Sequence, residues 1–329
     1  MNSALLLAVA TLVQAAPDSG AVLYHSWCKS CHGADGRGTS STAARLEVPA
    51  ANLAECKTST AEPEARWIGI VTNGAAAYGL SLDMPAFGEA ATPDQIRMVV
   101  RYIRSLCGEP GWPPGDLNFP RPFLVEKAFP ENEWVLIDEG RGQTLIYEHR
   151  LGKRFQTEVE ARSAFDGQPN AFDGVATALK YNFWYSLERR VLATLGVEVT
   201  PPLGRATVWE LEPFLAFGTN PARSLLVQGQ ITSTWEESQG VTEFSYRLGV
   251  GEQFGRVAPM LEAGWMVPRG GGERTLSLYP QLWVQLSRLG HVAGSLGAEL
   301  PAVGPEPRHP RLVAFLLWDF GDAPLLRGW

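Results

Sequence analysis

The stretch YHSWCKSCHGADG, residues 24–36, carries two cysteines separated by two residues and followed at once by a histidine. Such a group belongs to a haem attachment site, to half of a zinc site or to a redox-active dithiol. A structural zinc site needs four ligands, and the sequence has no second C-x-x-C pair. A redox dithiol would lie within a βαβ pattern, which is missing here. The pattern therefore predicts one covalent haem c, with thioethers at Cys28 and Cys31 and iron ligation by His32.

The first twenty residues, MNSALLLAVATLVQAAPDSG, contain an apolar run from residue 4 to 13 followed by small residues. This arrangement is typical of a secretory signal peptide, and we predict that it spans residues 1–16. The run is shorter than the roughly 20 apolar residues that cross a bilayer. Thioether attachment of haem also occurs outside the cytoplasm, so both features predict an exported protein.

The composition is that of a folded protein, with 329 residues of which 45% are hydrophobic and 19% are charged. This length is sufficient for two domains. A formal net charge of −7 argues against a nucleic-acid partner. Two cysteines, Cys56 and Cys107, lie outside the haem motif. In an oxidising compartment we predict that they form a disulfide, the alternative being two free buried thiols.

Two further segments of the first third have the signals of helices. In TPDQIRMVVRYIRSLC, residues 92–107, Thr92 is a predicted N-cap, Pro93 occupies the first helical position and Gln95 completes a capping box. An apolar stripe at helical spacing follows, formed by Ile96, Val99, Val100, Ile103 and Leu106. The segment AEPEARWIGIVTNG, residues 61–74, reads as a helix that ends at its Asn-Gly pair.

Three helices in this order, beginning with a C-x-x-C-H motif, resemble the class I monohaem cytochrome c family over residues 17–110. The resemblance implies an all-α domain around the haem. It also implies that the methionine of LSLDMPAFGEA, Met84, is the second axial iron ligand, 52 positions after His32. A Met/His pair gives a higher potential than two imidazoles. Met98 is the competing methionine, but it lies inside the last predicted helix.

The same resemblance suggests which residues surround the haem. The segment VPAANL, residues 48–53, is similar to the loop that lines the haem in this family. We therefore expect Pro49 and Leu53 in the haem pocket, together with Tyr24 and Trp27 from the first helix. His25 is expected at the surface or at the haem edge.

Residues 108–130 carry six prolines and show neither helical nor alternating periodicity. This composition predicts a stiff Pro-rich linker, which we place at residues 111–131.

From residue 132 onward, apolar and polar residues alternate with period two, as in FQTEVEAR, residues 155–162. This period predicts strands with one apolar and one polar face. An even number of antiparallel strands with alternately short and longer connections is typical of an outer-membrane β-barrel, here residues 132–329. The predicted strands are 133–138, 144–151, 155–165, 175–184, 191–199, 207–217, 225–235, 242–249, 257–267, 275–285, 292–300 and 311–320.

The polar face of these strands is heavily charged, which would be unfavourable in the core of a soluble β-sandwich and suits a wet barrel lumen. Several aromatic residues near strand ends suggest an interfacial girdle. They are Trp184, Tyr185, Trp209, Trp235, Trp265, Trp283 and Trp318, and the C-terminal Trp329 also resembles the aromatic end of outer-membrane proteins. A soluble periplasmic β-sandwich or lipocalin-like barrel is the alternative.

The join LNFPRPFLVEKAFPENE, residues 117–133, resembles that of bacterial cytochrome–porin fusion proteins. Monohaem porin–cytochrome fusions of iron-oxidising bacteria share this architecture but hold the cytochrome inside a larger barrel. The present sequence departs from them, because a barrel of about twelve strands is too narrow to enclose a domain of about 90 residues. We therefore expect a periplasm-facing electron carrier attached to a small outer-membrane barrel. Its partners would be a periplasmic redox protein or a small redox-active solute, and the outer-membrane lipid. One alternative is a porin-like barrel with a haem sensor, and another is a soluble cytochrome with a partner-binding sandwich. Catalysis is not favoured, because no acid–base pair lies near the haem motif.

Overall fold

The structure is a computed structural model that describes residues 19–40, 44–165, 172–222, 224–305 and 309–321. It contains a short helical region followed by a closed antiparallel barrel. The predicted signal peptide and Trp329 lie outside the described residues. Among the described helices, none combines the length and the apolar character required to cross a membrane.

The helical region is built from three longer helices and several short ones. Within the part of the chain that the structure describes, the α-helices with defined bounds are α1 (Gly20–Trp27), α2 (Lys29–His32), α3 (Cys56–Ser59), α4 (Glu64–Asn73) and α5 (Pro93–Ser105), with 3₁₀ turns at Ala75–Tyr78 and Gly115–Leu117. The capping box is present: the Thr92 side chain accepts from the Gln95 N–H, and the Gln95 side chain accepts from the Thr92 N–H. α4 ends at Asn73, and Gly74 follows at φ 78°. These helix boundaries were predicted from the sequence.

α1 and α5 cross at very short range, which explains a glycine at the start of α1. A Cβ built on Gly20 would lie 2.2 Å from the backbone oxygen of Met98, so that any larger residue would push the helices apart. Next to this contact, the rings of Tyr24 and Tyr102 lie 5.2 Å apart. The buried side chains of α5 pack against α1 and α4, and the three helices share one apolar core.

The remainder of the chain forms twelve antiparallel strands closed into a barrel, as the alternating pattern predicts. Each strand pairs with its sequence neighbours, and β1 closes the barrel against β12, with Leu136 opposite Leu316. The strands are β1 (Glu133–Asp138), β2 (Gly142–Leu151), β3 (Phe155–Ala164), β4 (Phe172–Ser186), β5 (Val191–Thr200), β6 (Glu210–Ala222), β7 (Leu225–Glu236), β8 (Gly240–Glu252), β9 (Val257–Pro268), β10 (Thr275–Gln285), β11 (Val292–Val303) and β12 (Arg311–Asp319).

The two ends of the barrel differ. We call one end of the barrel the proximal mouth. This end contains the start of β1, the end of β12 and the turns 152–154, 187–190, 253–256 and 286–291. The helical region lies at this mouth, where the Arg150 guanidinium donates to the Lys57 carbonyl oxygen (2.7 Å) and stands 5.2 Å from the Trp112 ring. The first and last strands therefore begin and end on the same side as the helices.

The outer surface of the barrel is apolar. Every strand presents at least one exposed aliphatic side chain, which would be unfavourable in water over so large an area and suits contact with lipid chains. These residues are Leu136, Leu145, Val159, Leu179, Leu195, Leu215, Ile231, Leu248, Leu261, Leu282, Leu296 and Leu316. Exposed Trp184, Trp209, Trp235 and Trp265 flank this band at strand ends.

Two predicted girdle residues are not on the outer surface, namely Tyr185, which is half-buried and packs against the apolar core of the lumen, and Trp283. Trp283 is only 8% exposed and packs in the lumen with Phe129, Ala293 and Leu317. Its register within β10 decides this, because the neighbouring Leu282 points outward and is 47% exposed. The expectation that Trp283 lies in the interfacial girdle was therefore wrong.

The Pro-rich segment enters the barrel. Residues 117–131, which we call the lumen strap, run through the interior and lead directly into β1. Leu117, Phe119, Val125 and Phe129 are buried there at 0–5% exposure. A Cβ on Gly297 of β11 would lie 2.8 Å from the Phe123 ring, so the strap packs directly on the barrel wall. The segment predicted as a linker between two domains thus forms part of the barrel core.

Inward polar side chains of the barrel satisfy the backbone of the strap. Glu262 of β9 accepts from three consecutive backbone N–H groups, those of Phe123 (2.6 Å), Leu124 (2.9 Å) and Val125 (3.0 Å). Further bonds of the same kind come from other strands, among them those of Gln228 to the Pro120 oxygen, Arg247 to the Leu124 oxygen, Gln156 to the Glu131 N–H and Thr194 to the Ala128 oxygen. A segment with no regular secondary structure can be buried only if its backbone groups find such partners.

Ion pairs also hold the lumen strap to the barrel wall. Arg121 of the strap lies between Glu133 (2.6 Å) and Glu148 (2.9 Å), all three almost completely buried. Lys180 of β4 donates to Glu126 of the strap. The charged inward face was predicted, but the expectation of a wet lumen was incomplete, because the strap and its partners occupy the proximal part of the interior.

Candidate haem site and its contact with the barrel

A cavity of about 950 Å³ lies between the helical region and the proximal mouth. At its helical end it is lined by Cys28, Cys31, His32 and Met84, which are the four residues predicted to hold the haem and its iron. In the sequence, Met84 lies at least 52 positions after each of the three residues of the motif. The fold therefore brings the predicted attachment and ligand residues to one cavity.

The two cysteines of the motif are close together because they bracket a tight helical turn. Cys28 follows the last residue of α1 and precedes α2, and the N–H of Cys31 donates to its carbonyl oxygen at 3.2 Å. Both thiols are free and partly buried. Burial raises the pKa of the Cys28 thiol to about 11, with Cys31 adding to the effect, so this thiol is neutral at physiological pH.

His32 is held in the orientation that an iron ligand needs. Its Nδ1 lies 3.0 Å from the Ala51 carbonyl oxygen, which can only accept, so this nitrogen carries the proton. The Nε2 atom then keeps its lone pair for a metal, and such a bond to the distal nitrogen fixes the ring. Burial lowers the pKa of His32, opposed by the bond to Ala51. The imidazole is therefore neutral near pH 7, as ligation requires.

Two methionines lie in the helical region, and their positions differ in a way that bears on ligation. Met84 lies in the loop before α5 and lines the cavity. Met98 lies within α5 and packs in the helical core without lining the cavity. His25 also stays outside the cavity, where its ring packs near Tyr102.

Three of the four predicted pocket residues line the cavity, namely Trp27, Pro49 and Leu53. Tyr24 does not. It is fully buried behind the motif, and its hydroxyl donates to the Gly33 carbonyl oxygen at 2.7 Å. Burial, with a smaller contribution from Cys28, raises the pKa of Tyr24 to about 12, so the phenol stays a donor. Tyr24 therefore supports the turn after the motif instead of contacting the cavity.

Other lining residues were not singled out from the sequence. Trp67, Ile70 and Val71 of α4 face the cavity, and Phe87 stacks on Trp27 with ring centroids 5.5 Å apart. The spacing of the three α4 residues at i, i+3 and i+4 is an amphipathic helix signal that could have identified them. They give the cavity an apolar wall.

The predicted disulfide is present. Cys56 at the start of α3 is bonded to Cys107, the second residue after α5. The neighbouring Thr58 and Ser59 line the cavity, so the bridge holds one cavity wall against the end of α5. The sequence separation of 51 residues makes the bridge a long-range restraint within the helical region.

The arrangement fits a covalent haem c. Two free thiols one helical turn apart, a neutral imidazole fixed through its other nitrogen, a thioether and an apolar wall are the groups that such a haem requires. The fit rests on these donors, all of which face one cavity of adequate size.

The barrel supplies the other end of the cavity. His291 and Arg288 of the β10–β11 turn line it, with Phe320 after β12. The His291 ring lies 3.7 Å from the carboxylate of Glu62 in the helical region and 3.8 Å from that of Asp319. The cavity wall is therefore shared between the two regions.

A family model described as "Cytochrome C oxidase, cbb3-type, subunit III" matches residues 15–103, about a quarter of the chain. No curated protein matches the chain. The matched range contains the C-x-x-C-H motif, the disulfide residue Cys56 and Met84. The chain thus joins a region similar to a cytochrome family to a twelve-stranded barrel.

The barrel is similar to solved outer-membrane proteins. A KdgM porin aligns over 57% of this chain and 97% of its own, with 10% identity and a TM-score of 0.44. The COG4313 outer membrane channel from Pseudomonas putida F1 aligns over 60% of this chain and 98% of its own, with 12% identity and a TM-score of 0.43. LpxR from Salmonella typhimurium aligns over 57% and 99%, with 8% identity and a TM-score of 0.35. Such low identities say nothing about what this barrel binds.

Proposed function

We propose that the chain is a monohaem c-type cytochrome that transfers electrons at the periplasmic face of the outer membrane, to which its barrel attaches it. The observation that carries this proposal is the convergence of Cys28, Cys31, His32 and Met84 on one cavity. The proposed units are a signal peptide at 1–16, a cytochrome domain at 17–110, the connecting segment 111–131 and the barrel at 132–329.

The haem, when bound, supplies a one-electron couple at its iron. The protein has three tasks around it. Cys28 and Cys31 hold the group covalently, and the bond from His32 to Ala51 keeps the ligating nitrogen aimed at the cavity. The thioether of Met84 would favour the reduced iron because it is a soft ligand. The apolar side chains of α4 would add to this effect by excluding the water that stabilises the additional charge of the oxidised state.

The barrel surface supports the membrane location. A continuous band of exposed aliphatic residues runs around all twelve strands, with tryptophans near strand ends. Lipid would cover this band and leave both barrel ends in water. The proximal mouth has short turns, the usual periplasmic character of such barrels, so the cytochrome would face the periplasm and meet its redox partner there.

The lumen strap favours a membrane anchor over a conducting porin. Solutes would have to pass residues 117–131, and these are held by Glu262, by the Arg121 ion pairs and by bonds from several other strands. We therefore expect the wild-type protein to be electrically silent in planar lipid bilayers. Regular single-channel steps of a wild-type protein with an intact strap would contradict the anchor and favour the porin alternative.

The cofactor is tested on the full chain made in a host with c-type haem maturation. Denaturing electrophoresis with haem staining should show haem on the wild-type band and none on a Cys28→Ala/Cys31→Ala variant. The variant should still fractionate with outer membranes and show heat-modifiable mobility, because the barrel contains neither cysteine. A wild-type band without stain would refute the cofactor, and recovery of the wild type in the soluble periplasm would refute the anchor.

The sixth ligand separates electron transfer from sensing. Met84→Ala should abolish the weak near-infrared band of Met-to-iron charge transfer, lower the redox potential and open the iron to added imidazole. Met98→Ala is the matched control, since this methionine does not line the cavity, and it should leave the band unchanged. A wild-type iron that is already five-coordinate would favour a sensor over an electron carrier.

A further inference from the structure

Acidic side chains line the cavity on both the helical and the barrel side, and they have partners within the protein. Towards the helical region, Glu62 pairs with Arg66 at 2.7 Å, and Asp116 pairs with Arg104 at 3.1 Å. The same holds for the other lining carboxylates within the described part of the chain: Asp83 accepts from the Glu47 N–H and the Ser81 hydroxyl, Glu131 pairs with Lys127, Glu133 pairs with Arg121, and Asp319 lies beside His291. These carboxylates therefore do not require a cation from a ligand.

Among the basic residues that line the cavity, Arg288 of the β10–β11 turn differs from the others. Arg150 donates to the Lys57 carbonyl oxygen, for example, and Arg190 donates to that of Asn220. In the part of the chain that the structure describes, the Arg288 guanidinium makes neither a hydrogen bond nor an ion pair. Its side chain is exposed, so a ligand in the cavity can reach it. The cavity thus offers an accessible positive charge that is not matched by a protein carboxylate.

The turn that carries Arg288 is fixed from two sides. On one side, the Arg256 guanidinium donates to the carbonyl oxygens of residues 286 and 287, at 3.1 and 2.9 Å. On the other side, Gly290 packs directly on Arg66 of α4, since a Cβ built on this glycine would collide with the Arg66 guanidinium. The packing of the turn therefore sets the place of Arg288 at the cavity, which distinguishes it from an arginine that is only solvated on a loop.

A haem c brings two carboxylates into such a cavity. Its ring carries the two thioether-forming positions on one edge and two propionates on the opposite edge. Attachment at Cys28 and Cys31 therefore leaves the propionate edge facing away from the motif, which lies at the helical end of the cavity. The barrel closes the other end. A guanidinium is well suited to a carboxylate, because it offers two parallel N–H donors together with its charge.

We propose that Arg288 binds one propionate of the haem, so that a turn of the barrel completes the cofactor site of the helical region. The inference rests on the proposed function and adds to it a residue far outside residues 15–103, the range that is similar to a cytochrome family. The contact between the turn and α4 then has a role, because it places a positive charge from the barrel next to the haem. Such a charge disfavours the oxidised iron, which carries one more positive charge than the reduced iron, and therefore raises the potential.

Two readouts on the full-length, haem-loaded protein in detergent test this contact. Arg288→Met keeps the approximate length of the side chain and removes its charge and its N–H donors. It should lower the midpoint potential in a redox titration, and it should shift the resonance Raman band of the propionate bending mode, which responds to hydrogen bonds at the carboxylate. Arg189→Met is the matched control, because Arg189 is an exposed residue of the β4–β5 turn that does not line the cavity. This variant should leave the band in place and the potential close to that of the wild type.

The Raman band decides between contact and distant charge. If the band is the same in Arg288→Met and Arg189→Met, the proposal is overturned even where the potential falls, because charge would then act without contact. Arg288→Gln covers the case in which Arg288→Met does not fold. Its potential should fall below that of Arg189→Gln, and equal potentials would also overturn the proposal. Haem staining of the same samples separates the two proposals: a wild type without haem refutes the proposed function, whereas haem with an unchanged Raman band in the Arg288 variant refutes only this inference.

Discussion

The helical region and the barrel bury opposite kinds of side chain. In the helical region, apolar stripes such as Val99, Val100 and Ile103 of α5 turn inward and charged residues stay outside. In the barrel, aliphatic side chains such as Leu195 and Leu296 face outward, and charged Glu148 and Glu262 are fully buried. The difference shows that an inward polar face does not by itself predict a channel. Here the inward polar side chains make hydrogen bonds with the backbone of the lumen strap, which belongs to the same chain.

The largest expected effect comes from removing the main attachment of the strap. Glu262→Ala leaves the N–H groups of residues 123–125 without their shared acceptor, and bonds to a charged group contribute about 1.5–3 kcal/mol each. We expect a loss on the order of 5 kcal/mol from the strap–barrel contact and the appearance of ion conductance in planar bilayers. Both measurements are made on protein that still shows heat-modifiable mobility.

The control for this experiment is Glu243→Ala. Glu243 is an inward carboxylate of β8 that accepts a hydrogen bond from Ser245 and makes none to the lumen strap within the described part of the chain. The variant should leave the bilayer silent. Conductance in both variants would mean that loss of lumen charge, and not release of the strap, opens the barrel.

A charge on the outer face should have the next largest effect. Leu215 lies in the middle of β6 on the aliphatic band, and arginine at such a depth destabilises a membrane barrel by about 2–4 kcal/mol. Leu312→Arg near the start of β12 should cost about 0–1 kcal/mol, because a strand end lies near the interface. Urea unfolding in lipid vesicles measures both. Equal effects would contradict a depth-dependent lipid contact.

The corresponding test in the helical region is smaller. Thr92→Ala removes the cap of α5 and should lower the stability of the cytochrome region by about 1 kcal/mol, because the Gln95 N–H loses its acceptor. Thermal unfolding followed by the haem absorption band should show the shift, while the heat-modified mobility of the barrel is unchanged. A coupled loss of barrel stability would show that the two regions unfold as one unit.

The smallest effect concerns the contact between the two regions and its pH dependence. Burial raises the pKa of Glu62, opposed by Arg66 and His291, with Asp319 adding to the rise. For His291, burial acts against the charged form, but the negative charges of the nearby Asp319 and Glu62 carboxylates prevail, opposed by Arg66, and the pKa is raised. Both groups therefore take up protons on docking.

The sign of the effect follows from these shifts. The Glu62 contribution is fully present below its usual pKa of 4.5, and the His291 contribution is fully present below its usual pKa of 6.5. Each contribution is lost as pH rises through the raised pKa of its group. We expect the protection factors of the α4 amides, which are exchange rates corrected for the intrinsic pH dependence of amide exchange, to be higher at about pH 6 than at about pH 9, by less than tenfold. His291→Gln should flatten this dependence, and the exposed His309→Gln should not. Lower protection factors at the lower pH would reverse the assignment.

Much of the fold was predictable because its signals are local. Period-two alternation identified all twelve strands, with starts and ends within a few residues of those observed, as for β1 at Glu133–Asp138. Thr92, Pro93 and Gln95 defined the start of α5, and Asn73-Gly74 the end of α4. The pairing of Cys56 with Cys107 was also correct. Cys28, Cys31, His32 and Met84 were selected as site residues from the motif and the family resemblance, and they line one cavity.

The sequence alone determined which stretches are helix or strand, which strand face is apolar and where the C-x-x-C-H motif lies, because these depend on periodicity and on neighbours a few positions apart. Only the tertiary structure decided what meets across the molecule. The Pro-rich segment has no period of its own, so its position in the lumen depends on Glu262, more than 130 positions away. Trp283 resembles the outer tryptophans in sequence, and only the register of β10 turns it inward to the apolar core of the lumen. The barrel end of the cavity could not be predicted from the sequence either, because it depends on residues that are distant in the chain. It forms where the turn at His291 contacts Glu62 of the helical region.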